Sequence, residues 1–150
     1  MSKYSASGNQ TLTTSAVTAL TVGSNASTAQ RNRIYELWIA NEGTPADNLV
    51  IHTIQRCTAL GTSTAVTASK LDLADRAAQA ACGENHTVEP TYTSAEELLE
   101  VPLNTRATFR WVAAPGSEIV TPATVANGVG AKALHASATT DWRVGAMWTE

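Results

Sequence analysis

Apolar and polar positions alternate along most of this chain, in short runs broken by Gly, Pro, Asn and Thr, and a period of two predicts strands. The Thr/Ala/Val-rich stretch Thr11–Val22 reads as a first strand, and Gly23–Thr28 as a loop. Arg33–Asn41 places Tyr35, Leu37 and Ile39 on one face and Ile34 and Trp38 on the other, so it is predicted to be central or sandwiched. The turn Glu42–Asn48 leads to Leu49–Thr58, its expected hairpin partner. Leu98–Leu103 reads as a strand ending near Pro102; a capping box at Ser94 and Glu97 leaves too few residues for a helix.

The C-terminal third alternates most clearly. Ala107, Phe109, Trp111 and Ala113 oppose Thr108 and Arg110; Val129, Ala131 and Ala133, in the strand 127–136, oppose Lys132 and Leu134. Over Asp141–Thr149, Trp142, Val144, Ala146 and Trp148 oppose Arg143, and this strand runs almost to residue 150. Only Leu73–Cys82 reads as helix, with Asp72 as N-cap and Gly83 at C′. Residues 1–9, small and polar, read as a flexible N-terminal arm. The prediction is an all-β fold of seven or eight strands: a β-sandwich or jelly roll with one short helical insertion, residues 10–150 forming one domain.

At 150 residues, a single domain buries roughly 68–70% of its unfolded surface and needs no disulfide or metal to fold. Ala and Thr dominate the composition, so the four Trp residues are expected to fill much of the core. A net charge of −3 gives no long-range attraction to nucleic acid. Two cysteines, Cys57 and Cys82, make no disulfide framework. The opening MSKYSASGNQ lacks an apolar stretch and no run reaches membrane-spanning length, so synthesis in a reducing cytoplasm is expected.

Candidate chemistry is sparse. His52, His86 and His135 with the two cysteines lack the short paired spacing of structural zinc sites, and no metal or cofactor is expected. Glu96, Glu97 and Glu100 have the residue type of a glycosidase acid–base pair, but they sit together in one short segment. A solvated strand edge accounts for them better. There is no nucleophile elbow and no phosphate loop. A site assembled from distant residues such as His52, His135 and Asp141 is the enzyme reading that stays open.

Four segments carry a resemblance: Gln30–Tyr35, Gly43–Asn48, His86–Tyr92 and Arg110–Gly116. They resemble small capsid decoration, or cement, proteins of tailed bacteriophages, over nearly the whole chain from Tyr4. The resemblance implies a β-sandwich or jelly-roll protomer without enzymatic activity, often a homotrimer, bound to the major capsid protein on the outside of the virion head. Lys3 and Tyr4 of the arm, with Arg31 and Arg33, are the candidate capsid contacts. The alternative is a head-fibre or tail-associated β-sandwich module that stacks exposed aromatics on glycan.

Overall fold

Strands form wherever short apolar and polar residues alternate, and the computed structural model, which describes residues 1–134 and 140–150, contains twelve of them and no helix among those residues. They are β1 (Lys3–Thr11), β2 (Val17–Ser24), β3 (Arg33–Asn41), β4 (Leu49–Ala59), β5 (Thr62–Val66) and β6 (Ser69–Lys70). There follow β7 (Ala80–Val88), β8 (Thr91–Asn104), β9 (Phe109–Val112), β10 (Ile119–Val120), β11 (Gly128–Leu134) and β12 (Asp141–Thr149). Two antiparallel sheets pack as a β-sandwich. The first runs β10-β3-β12-β1-β6, with β9 also on β3, and the second runs β5-β7-β2-β11-β4-β8.

The pairings nest. β1 pairs with β12, β2 with β11, β3 with β9 and β4 with β8, as in one long hairpin. Rolling that hairpin up adds the β3–β12 and β4–β11 contacts. From β1 to β4 each strand therefore changes sheet, and β3 and β4 do not form the expected hairpin: the turn 42–48 crosses from one sheet to the other. The predicted strand Thr11–Val22 is likewise split by such a crossing, with Leu12 fully buried at the corner.

The core is built from Trp142, Trp148, Tyr4, Leu12, Ile34 and Ile39, with Ala6, Ala19, Ala131 and Ala146 letting the sheets approach. The rings of Tyr4 and Trp148 lie 6.0 Å apart. Two of the four tryptophans are thus fully buried, Trp111 packs against the core, and Trp38 lies on the outer face. The faces predicted for β9, β11 and β12 match the structure. In β3 they do not. A bulge opposite Met147 and Trp148 inserts one extra residue, so Ile34 joins Leu37 and Ile39 in the core while Tyr35 lies outside.

The predicted arm is instead β1, paired with β12 from Lys3↔Thr149 to Thr11↔Asp141. Its period of two is real, but it is written in Tyr4, Ala6 and Gly8, residues too small or too few to signal a strand. Gly8 is required because a Cβ there would overlap the Ala19 carbonyl. The predicted helix over Leu73–Cys82 is a turn and an extended segment that enters β7. Asp72 does cap one turn, through the Ala74 amide (2.9 Å). Beyond it the Arg76 carbonyl accepts from Tyr4 Oη (3.1 Å), and the Gln79 and Ala80 amides donate to the Glu150 carboxylate (2.9–3.0 Å). Backbone groups satisfied by tertiary partners leave no reason for a helix, whatever the local propensity. β8 runs through Pro102 because it is an edge strand, where a missing N–H breaks no ladder.

A candidate partner-binding surface at one end of the sandwich

Strand direction sorts the charges. Lys3, Thr149 and Arg33 are lateral neighbours across β1, β12 and β3, at the end where β1 and β3 begin. Arg31, just before β3, belongs to the same end, as do Arg56 near the close of β4, Lys70 beside Tyr4, and Arg76. Arg56 bridges Glu96 and donates to the Val120 carbonyl (2.8 Å); Arg76 bridges Glu150; Lys70 donates to the Leu73 and Asp75 carbonyls. Lys3, Arg31 and Arg33 are exposed and form no ion pair among the described residues.

Lys3 and Arg33 share a shallow cleft of about 260 Å³ with Tyr35, Glu118 and Thr149. Burial, and then the neighbouring Glu36, pushes the Tyr35 phenol up. The backbone amides of Glu118 itself and of Gly116 hold the Glu118 carboxyl low, and Arg33 adds to that. Glu118 thus stays ionised beside Arg33. Arg31 lines an adjacent cleft with Arg56, Thr121 and Pro122. Its floor is fixed: Asn32, buried between the two arginines, donates from its amide and its side chain to Thr121 Oγ1 (3.1 Å each). Three of the four sequence-predicted contacts therefore lie at one end of the sandwich, Lys3 and Arg33 in one cleft and Arg31 in the next. Tyr4 does not join them, since its side chain is 0% exposed in the core and it is corrected to a packing residue.

The other candidates scatter. His52 is 1% exposed between the sheets, its ring 4.9 Å from that of Trp142, and burial lowers it to about 4. Among the described residues neither ring nitrogen has a hydrogen-bond partner, so no His52–Asp141 pair is assembled; Asp141 instead accepts from Thr11 Oγ1. His135 lies outside the described residues. His86 is buried, with Nδ1 3.0 Å from the Thr18 carbonyl, and burial lowers it as well. Cys57 and Cys82 are free and buried, and burial pushes them up to about 11 and about 12, which suppresses the reactive thiolate. Glu96 and Glu97 pair with Arg56 and Gln55 along the exposed edge strand β8. Among the described residues no group of three or more His, Cys, Asp or Glu is placed to hold a metal.

Sequence reasoning missed Trp38. Its indole lies flat on the outer face of the first sheet, over Gly145, where a Cβ would overlap the ring. Only the register Trp38↔Gly145 reveals this. The ion pair of Arg110 with Glu36 (2.7 Å) flanks it across β9 and holds the Glu36 carboxyl below its usual range.

No family model matches the chain, and no curated protein or solved structure does either.

Proposed function

We propose that this chain is a jelly-roll capsid decoration protein that docks on the outer surface of a phage head through its arginine-bearing end. The nested pairing of four strand pairs, with β1 to β4 alternating between the sheets, supports the jelly-roll reading, an architecture that recurs in viral capsid proteins. The observation that carries the docking site is the gathering at one end of the sandwich of Lys3, Arg31 and Arg33, three exposed cations that form no ion pair among the described residues, with Glu118 beside Arg33 in the cleft. Arginine beside an aromatic such as Tyr35 is the composition of binding surfaces, and the chemistry fits an acidic patch on the major capsid protein. Binding only the mature lattice stabilises it by mass action at every site.

The test is co-sedimentation with expanded phage heads. Wild type is expected in the head fraction, and Arg31→Glu/Arg33→Glu is expected to lose at least tenfold in affinity while melting normally. Equal binding by the double variant would overturn the assignment of this end.

Trp38 specifically favours a second reading, the glycan-binding module. A partly exposed indole on the outer face of a sheet, with charged side chains beside it, suits stacking on a sugar ring. Saturable quenching of Trp fluorescence by an oligosaccharide, lost in Trp38→Ala, would support that reading over the first.

A further inference from the structure

On the outer face of the second sheet, the half distant from the arginine end is apolar and open. Leu49 is 62% exposed, Ile51 43% and Leu134 50%. Leu134, Ile51 and Pro102 are lateral neighbours across β11, β4 and β8, and the next row is Lys132, Thr53 and Glu100. Toward β2 this face is covered by Glu89, between β7 and β8, and by Tyr92 of β8: both reach Thr18, the neighbour of Lys132 in that row, Tyr92 lies against Gly130, and Lys132 Nζ sits 4.9 Å from the centre of the Tyr92 ring. Large aliphatic side chains concentrated on the uncovered part of a sheet mark an interaction surface.

The charges flanking it say what covers it. Lys132 and Glu100 stand on either side of Thr53, one strand away each, so about 10 Å apart across the sheet. A two-fold axis parallel to β4 and passing over Thr53 reverses left and right while keeping the strand direction. It sets Lys132 of each copy opposite Glu100 of the other, Leu134 opposite Pro102, and Ile51 against Ile51. An axis across the strands would instead set Lys132 against Lys132. The face is therefore self-complementary in one orientation, the condition for an isologous contact.

We infer that a second copy of this chain covers this face, forming a two-fold dimer of aligned sandwiches. The inference does not rest on the proposed docking site, because it concerns the opposite sheet and is tested without capsids. It does have a consequence for that site. With the axis along the strands, both arginine ends point the same way, so a dimer presents two docking surfaces to one shell. The contact is small and belongs with the weaker specific interfaces, below about 1,200 Å² in total. The dimer is accordingly concentration-dependent.

Sedimentation velocity from dilute solution up to about 1 mM, the limit at which weak specific contacts register, tests it. The expected result is a mass rising from 15.7 kDa toward twice that value. Lys132→Glu alone, or Glu100→Lys alone, is expected to weaken the dimer at least tenfold, since the two-fold axis doubles each like-charge contact. Lys132→Glu with Glu100→Lys in the same chain is expected to restore it. Ile51→Glu, on an exposed side chain, is expected to give monomer with an unchanged melt. A mass that stays at one chain, a three-chain mass, or a dimer indifferent to these changes would overturn the inference.

Discussion

The two ends of the sandwich solve opposite electrostatic problems. At the arginine end most buried polar groups that organise the surface have named partners, with Asn32 Oδ1 and, further along β4, Gln55 Oε1 the exceptions among the described residues: Ser24 Oγ donates to the Gln30 carbonyl (2.7 Å), Asn32 donates to Thr121, and Glu150 collects the Gln79 and Ala80 amides. Three exposed cations there, Lys3, Arg31 and Arg33, form no ion pair among the described residues. At the other end, the side-chain polar atoms of His52 and Asn41 and the Trp142 indole N–H are buried without hydrogen-bond partners among the described residues. In register, Asn41 sits beside Trp142, whose ring packs at a tilt against that of His52. One end spends its polar chemistry on an exterior surface; the other holds polar groups that weaken the core. Orphaned buried groups carry a desolvation penalty of about 1–3 kcal/mol each, so this end is where the fold gives way first.

The largest test of that contrast is Trp142→Ala. Removing the indole is expected to destabilise the protein by about 3–5 kcal/mol in urea titration, since β12 has no other residue of that volume at this end. A loss below about 1 kcal/mol would mean that the end is not a packed core at all.

Acid gives the next effect. His52 is held neutral, its value lowered by burial from 6.5 to about 4, so the folded state binds fewer protons than the unfolded one between those values. Stability is complete above pH 6.5, falls as pH drops toward 4, and changes no further through this group below 4. At 1.36 kcal/mol per unit the loss is about 3 kcal/mol. His52→Leu is expected to flatten that slope and to raise stability at pH 7, because an apolar residue there leaves no nitrogen unsatisfied. An unchanged pH profile in the variant would assign the acid sensitivity elsewhere.

At the arginine end, Glu150→Ala is expected to cost about 1.5–3 kcal/mol, the range for hydrogen bonds to a charged acceptor, because the Gln79 and Ala80 amides lose theirs. Hydrogen exchange at those two amides reads it directly. The smallest change in stability belongs to Arg31→Glu/Arg33→Glu, within about 0.5 kcal/mol by thermal melt, as for other exposed sites. If that pair destabilised the fold as much as Glu150→Ala does, the arginines would be structural and the comparison between the ends would fail.

How much was legible beforehand depended on side-chain size. β9, β11 and β12 announce themselves because Trp, Phe and Val alternate with polar residues, and the face each presents to the core follows from that alternation. β1 has the same period, but Ala and Gly at its inward positions carry little hydrophobic signal. Of the candidate contacts, Lys3, Arg31 and Arg33 were readable as exposed charges near a strand start. Tyr4 was not readable as core, because its burial depends on Trp148, 144 residues away, which lies against its ring.

The sequence alone determined that this is a β protein and which face of its last strands is buried, because period-two alternation is a local property of side chains on a pleated backbone. Tertiary structure decided the rest. The bulge at Tyr35 reversed the face of Ile34, and the Glu150 carboxylate and Tyr4 hydroxyl held extended a segment with helical propensity. The rolling of the nested hairpin brought Lys3 beside Arg33 and set Lys132 and Glu100 on either side of Thr53. Each of these joins residues distant in the chain, and no local preference outweighs a backbone hydrogen bond or a buried ring supplied from the other side of the sandwich.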